Sequence, residues 1–95
     1  MKILAIEKEI KNSLPGEFTK YAKEEAKVLW NLYQNGLVRE FYFRADKNVA
    51  VLLLEADNIT VAKENLENLP FVSNKLIGFE LIPLKPYPGF ERLFV

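Results

Sequence analysis

An uninterrupted apolar run stands out in the middle of the chain, in the segment Val49-Ala-Val-Leu-Leu-Leu-Glu55. Polar and apolar positions do not alternate within it, which is typical of a strand that is buried on both faces. In a chain of 95 residues, one layer of helices can cover only one face of a sheet. The pattern therefore predicts a central strand whose second face is covered by a partner subunit.

Three other segments have the pattern of strands, namely residues 2–10, 37–45 and 76–82. In the second of these, strict alternation puts Val38, Tyr42 and Arg44 on one face and Phe41 on the other. The sequence Asp46-Lys47-Asn48 predicts a short hairpin turn after this strand. Residues 37–45 and 49–55 are therefore expected to pair antiparallel.

Two helices are predicted from apolar residues at three- and four-residue spacing. The first spans residues 17–35, after a turn over residues 12–16 in which Ser13 is the expected cap, and Gly36 ends it in a left-handed conformation. The second is capped by Asp57 or Asn58 and closed by Pro70. The predicted buried stripe of the first helix is Phe18, Ala22, Ala26, Leu29 and Tyr33, widened by Val28 and Leu32.

The predicted element order is β-α-β-β-α-β, which is the ferredoxin-like arrangement of the α+β class. It consists of a four-stranded antiparallel sheet with two helices on one face, and strands one and three are central. The chain is expected to be a single domain over residues 1–95. Residues 83–95 contain three prolines and three aromatic residues, so we expect a C-terminal tail that docks on another surface rather than a central strand.

Composition excludes several classes of function. The chain has no Cys and no His, which rules out disulfides and thiol nucleophiles and argues against zinc and iron sites. Its net charge is zero, with 13 basic and 13 acidic residues, so nucleic-acid binding is not expected. No apolar run approaches the ~18 residues of a membrane span, and the N-terminus has the pattern of a strand rather than of a signal peptide. A cytoplasmic protein without metal or cofactor is expected.

Several short motifs, in order along the chain, resemble those of the muconolactone isomerase-like proteins, a family of dimeric α+β barrels. The first helix ends on Gly36, and Gly36-Leu-Val-Arg-Glu-Phe-Tyr42 is similar to the family's Gly-x-x-Arg-x-Leu-Trp strand. Leu69-Pro70 and the segment from Glu80 to Pro88 are similar to its Leu-Pro-Leu-Phe and Pro-Leu-x-x-His-Pro motifs. The resemblance covers about residues 22 to 88 and implies a dimeric barrel.

Three positions depart from the family's pattern. Tyr87 stands where the family has a His before the last Pro, Glu40 replaces the His of the second strand, and Tyr42 replaces its Trp. The resemblance therefore implies the fold more directly than it implies the isomerase reaction.

Glu25 is the main candidate for a catalytic residue. It lies at four-residue spacing from Tyr21 and Leu29 on an otherwise apolar stripe of the first helix, and it matches the family's helix glutamate. Partial desolvation would raise the pKa of its carboxyl group, which suits a general base. The alternative is an ordinary solvated charge paired with a nearby lysine.

Tyr42 and Arg44 are the second candidates, because they are neighbours on one face of the second strand. If that face lines the barrel, the phenol can donate to a carbonyl oxygen and the guanidinium can hold a carboxylate. The alternative is a cross-strand aromatic residue and a surface ion pair with Glu40.

Four other glutamates receive simpler interpretations. Glu55 and Glu80 end or interrupt apolar strands, so each needs a partner or contact with water, or else lines the mouth of a cavity. Glu7 and Glu9 flank Lys8 and have the pattern of a solvated strand end.

Two functions remain open from the sequence. The resemblance implies an isomerase that moves a proton next to the carbonyl group of a small lactone or similar compound, with Glu25 as base and Tyr42 and Arg44 as donor and anchor. The alternative is a non-catalytic module that binds a small apolar molecule or only assembles. Both functions predict a homodimer that can associate further. In this dimer, the uncovered sheet faces of the two copies pack against each other and enclose an internal chamber.

Overall fold

A computed structural model describes residues 1–10 and 16–95 of the chain. The turn predicted over residues 12–16 lies largely outside these residues. Ser13, the predicted cap, lies wholly outside them. The strands are β1 (Lys2–Glu9), β2 (Val38–Phe43), β3 (Ala50–Glu55) and β4 (Ile77–Leu84). The helices are α1 (Glu17–Gln34), α2 (Ile59–Leu66) and α3 (Pro70–Ser73), followed by a 3-10 helix at Gly89–Phe94.

The four strands form one antiparallel sheet in the order β2-β3-β1-β4. This order confirms the ferredoxin-like α+β fold and the central position of β1 and β3. Ile3 faces Leu54 across the central pair, and both side chains are fully buried. Burial of such side chains beneath the helices is the main source of stability for the sheet.

The sheet has two different faces. The face beneath the helices, called the helix face here, includes the buried residues Ile3, Ala5, Leu52 and Leu54. The opposite face, called the open face, is also apolar at its centre but is not covered within the protomer. Its central side chains are only half-buried, and they are Leu4, Ile6, Val51, Leu53 and Ile82. The apolar run of β3 is thus covered on one face only.

A β-bulge changes the faces of β2 from those predicted by simple alternation. Val38 pairs with Leu54, whereas Glu40 pairs with Leu53, so the register shifts between them. Val38 is therefore buried on the helix face, and its predicted position on the face of Tyr42 is wrong. Arg39 lies at this shift, and its Nε donates a hydrogen bond to the Gly36 carbonyl oxygen at 2.8 Å.

The buried stripe of α1 also differs from the predicted one. Ala22 and Ala26 are exposed, and Tyr33 is 41% exposed. Val28, Leu29 and Leu32 face the core as predicted, and the inward line that ends on the buried Leu32 also passes through Glu25. Gly36 has a φ of 87°, which confirms the predicted left-handed end of the helix.

The connection between α2 and β4 is more regular than expected. Leu69 is buried, and Pro70 occupies the first turn of α3 instead of closing α2. Proline fits there because the first helical N–H groups have no partner within the helix. Residues 70–73 therefore form a short helix of their own.

Asn58 caps α2 as predicted, since its side chain accepts a hydrogen bond from the Val61 backbone N–H at 2.8 Å. Asn58→Ala is expected to lower the free energy of unfolding by about 1 kcal/mol, because this N–H loses its partner. Urea denaturation measures the change. Asp57→Ala is the control, and an equal loss in both variants would contradict the capping role.

The C-terminal tail leaves the sheet after Leu84. Pro83 lies in β4, which pairs only with β1 among the described strands, so the missing N–H is tolerated at a sheet edge. Beyond it, large apolar side chains are exposed, and Tyr87 and Phe90 contact each other edge to face at 5.1 Å. The docking of residues 83–95 on another surface stays a prediction.

Candidate functional site

A cavity of about 520 Å³ lies between the N-terminal half of α1, α3 and the helix face of the sheet. Its size is in the range that small-molecule sites commonly have. Phe18 and Phe71 meet edge to face in its wall, with ring centroids 5.0 Å apart. This helix-side cavity is lined by Glu7, Glu9, Phe18, Phe43, Asn48, Val49, Phe71 and Ile77.

Glu25 is attached to the wall of this cavity. Its Oε1 accepts a hydrogen bond of 2.9 Å from the backbone N–H of Phe71, which joins α1 to α3. Burial raises the pKa of the Glu25 carboxyl group, the Phe71 N–H opposes this effect, and the nearby charge of Glu7 adds to it. A half-buried carboxyl group thus lies directly behind an aromatic residue that lines the cavity.

The raised pKa of Glu25 predicts a specific dependence of stability on pH. The pKa in the folded state lies above its ordinary value of 4.5, so the ionised carboxylate costs stability at neutral pH and not below about pH 4.5. Glu25→Gln removes this titration but keeps an oxygen that can accept from Phe71. We expect the variant to gain stability relative to the natural chain as pH rises from 4 to 8. Thermal unfolding across this pH range measures the difference in stability between the variant and the natural chain. A difference that stays constant with pH would contradict the raised pKa of Glu25.

Tyr42 lies on the open face, where it is 62% exposed. Its hydroxyl group donates a hydrogen bond to Glu40 Oε1 at 2.8 Å, and this contact raises the pKa of the phenol. The phenol is therefore already paired with a carboxylate in the protomer.

Arg44 lies just after β2 and forms two hydrogen bonds with Asp46, from Nε at 2.9 Å and from Nη2 at 2.6 Å. Its partner is thus the hairpin aspartate and not Glu40. Paired guanidinium and carboxylate groups of this kind are strongly oriented but contribute little when exposed. Asp46 accordingly has a lowered pKa because it accepts from Arg44.

The protomer does not bring Glu25 together with Tyr42. Glu25 lies between α1 and the helix face, whereas Tyr42 pairs with Val51 on the open face, so the sheet separates them. The physical reason is that α1 packs on only one face and β2 alternates across both. The catalytic roles suggested for Tyr42 and Arg44 stay predictions, but they do not belong to one cavity with Glu25.

Sequence reasoning missed Glu7 as a residue of the site. Glu7 is half-buried, lines the helix-side cavity and accepts a hydrogen bond from the Ala50 backbone N–H at 3.0 Å. Its prediction as part of a solvated strand end is therefore wrong. The signal was present, because Glu7 follows the buried Ile3 and Ala5 at two-residue spacing and so shares their face.

Glu55 and Glu80 have simpler surroundings. The Glu55 carboxylate lies 3.5 Å from the amino group of Met1, and Glu80 is exposed on β4. Within residues 1–10 and 16–95, no cluster of three acidic, His or Cys side chains has the arrangement of a metal site. None of the helices in the same part of the chain has the length and apolarity to cross a membrane.

Comparison with known proteins places the fold. The chain matches no protein-family model and no curated protein sequence. Its structure superimposes on the 3.3 Å crystal structure of muconolactone isomerase with a TM-score of 0.76, at 16% sequence identity. The chain has the fold of muconolactone isomerase. The superposition covers 93% of this chain and 92% of muconolactone isomerase, so it includes the sheet and the helices together.

The resemblance seen in the sequence is thus confirmed at the level of the fold. At 16% identity, the likeness to muconolactone isomerase does not extend to its activity.

Proposed function

We propose that this protein is a cofactor-independent isomerase that moves a proton within a small lactone or another enolisable carbonyl compound. The reaction takes place in the helix-side cavity. The observation that carries the proposal is the half-buried Glu25 carboxylate, which is fixed by Phe71 at the cavity wall and has a raised pKa. The shared fold with muconolactone isomerase supports it.

The chemistry requires one base and one hydrogen-bond donor. Glu25 removes a proton from the carbon next to the carbonyl group and then protonates another carbon of the same molecule, so no proton is consumed overall. While the carboxyl group holds the proton, it can exchange with water, which carries solvent deuterium into the substrate. A raised pKa brings the carboxyl group closer to neutral pH, where a general base and its conjugate acid both work well. Phe71 and Phe18 have to turn aside for the substrate to reach the carboxylate.

Asn48 is the donor that we assign to the developing enolate. It lines the cavity and carries a side-chain amide, which can donate to an oxygen that gains negative charge. The roles of donor and anchor that the resemblance suggested for Tyr42 and Arg44 are tested by Tyr42→Phe and Arg44→Gln. If Asn48 is the donor, Asn48→Ala slows turnover while those two variants keep it.

Two copies are proposed to pair through their open faces. The half-buried Leu4, Val51 and Leu53 form the centre of this face, and a second sheet would remove them from water. The part of the tail beyond β4, residues 85–95, is proposed to dock on the partner, because its large apolar side chains are exposed on their own protomer. Location in the cytoplasm stays a prediction.

A non-catalytic binding or assembly module is the second candidate. The observation that favours it is the contact of Tyr42 with Glu40 and of Arg44 with Asp46, which leaves both predicted substrate-binding groups occupied. In this case the cavity holds a small apolar molecule without changing it.

Proton exchange separates the two candidates. The protein is incubated in D₂O with a panel of small lactones and other enolisable carbonyl compounds, and deuterium incorporation is followed by NMR. Catalysed incorporation that is lost in Glu25→Gln supports the isomerase. Binding without incorporation by any member of the panel supports the second candidate.

A further inference from the structure

We propose that the helix-side cavity selects substrates without a negative charge, and that it excludes carboxylate-bearing compounds. This inference rests on the proposed function, because it specifies the substrate class of the same site. It follows from the charges around the cavity and from the nature of its walls.

The charged residues among those described as lining the cavity are both acidic. Glu7 and Glu9 line it, Glu25 lies behind Phe71, and none of the eight described lining residues is a lysine or an arginine. The anionic ligands of proteins are commonly held by Arg or Lys, which supply paired hydrogen-bond donors as well as charge. A carboxylate that entered this cavity would meet like charges instead.

The hydrogen bonds described for Glu7 and Glu25 come from uncharged groups. The partner of Glu7 is the Ala50 backbone N–H, and the partner of Glu25 is the Phe71 backbone N–H. Both of these donors are neutral backbone groups. The ion pairs within the described ranges join Met1 to Glu55 and Arg44 to Asp46, and neither pair includes a residue of the cavity.

The remaining walls suit a flat apolar ring. Phe18, Phe43 and Phe71 present aromatic surface, and Val49 and Ile77 add aliphatic surface. Aromatic side chains pack well against another ring in offset or edge-to-face contact. Asn48 is then the residue that can form a hydrogen bond with the polar end of the ligand. The cavity thus fits an uncharged ring compound with one carbonyl group.

A matched pair of probes tests the charge preference. Methyl phenylacetate and phenylacetate share the ring and the CH₂ group next to the carboxyl carbon, and they differ in charge at pH 7.5. We expect the ester to bind at least about tenfold more tightly, because one unfavourable contact between like charges at close range accounts for such a factor. Binding is measured by NMR titration of the full chain, which requires no turnover.

Variants identify the source of the preference. Glu7→Gln is expected to reduce the difference in binding affinity between the two probes, because it strengthens the binding of phenylacetate. Glu64→Gln, on the exposed side of α2, is the matched control and should leave the difference unchanged. An equal reduction of the affinity difference in Glu64→Gln would contradict a local effect of Glu7.

The inference is overturned if phenylacetate binds as tightly as the ester, or if neither probe binds. The experiment also distinguishes failure of this inference from failure of the proposed function. A protein that prefers the ester but catalyses no deuterium incorporation would contradict the isomerase and uphold the charge preference.

Discussion

Replacing Glu25 with glutamine is expected to slow catalysed proton exchange by about 10²–10⁴-fold, which is the usual contribution of a positioned general base. The amide cannot accept the substrate proton. Its oxygen can still accept the Phe71 N–H, so the join between α1 and α3 is preserved. The loss should therefore appear in kcat more than in substrate affinity.

Glu24→Gln provides the matched control for this result. Glu24 is the adjacent residue on α1 and is exposed, so the same chemical change there removes a solvated charge only. An unchanged rate in Glu25→Gln, or an equal loss in Glu24→Gln, would remove Glu25 from the mechanism. Circular dichroism of all variants checks that the fold is intact.

Replacing Leu53 with arginine is expected to convert the proposed dimer into monomers. Leu53 lies at the centre of the open face, opposite Leu4 on β1 and Glu40 on β2. A guanidinium group there would be buried between two sheets, and removal of a central interface anchor commonly costs 2 kcal/mol or more, roughly a 30-fold change in the dissociation constant. The Glu40 carboxylate can pair with it in the monomer.

Sedimentation at micromolar concentration measures this change. The natural chain should sediment as a dimer or a larger assembly, and Leu53→Arg should sediment as a monomer with an unchanged circular dichroism spectrum. Glu64→Arg, on the exposed side of α2, is the control and should remain associated. A natural chain that is monomeric at this concentration would contradict pairing through the open faces.

Much of the fold could be predicted because the decisive signals are local. The apolar run of β3, the hairpin turn before it, Gly36 at the end of α1 and Asn58 at the start of α2 each lie in a short segment. Once the element order is known, the handedness of crossovers leaves few topologies. The fold class and the central strands followed from these signals.

The misassigned details depend on packing between distant segments. The bulge that turns Val38 inward arises from the pairing of β2 with β3, and strict alternation cannot show it. Likewise, the hydrogen-bond partner of Glu25 could not be predicted, because Phe71 lies 46 residues away along the chain.

The candidate site was only partly predictable for the same reason. Glu25 could be identified from its place on an apolar stripe, and Glu7 from its spacing with Ile3 and Ala5. The packing of α1 and α3 against the strands determines which side of the sheet the cavity occupies. Grouping Glu25 with Tyr42 required both to face one chamber, whereas the sheet lies between them.

The most direct test of the account is to locate a bound ligand by NMR. Intermolecular nuclear Overhauser effects are measured between methyl phenylacetate and the aromatic protons of the protein. We predict contacts to the rings of Phe18, Phe43 and Phe71, which line the helix-side cavity. Contacts to Tyr42 on the open face, without contacts to those three rings, would contradict the account.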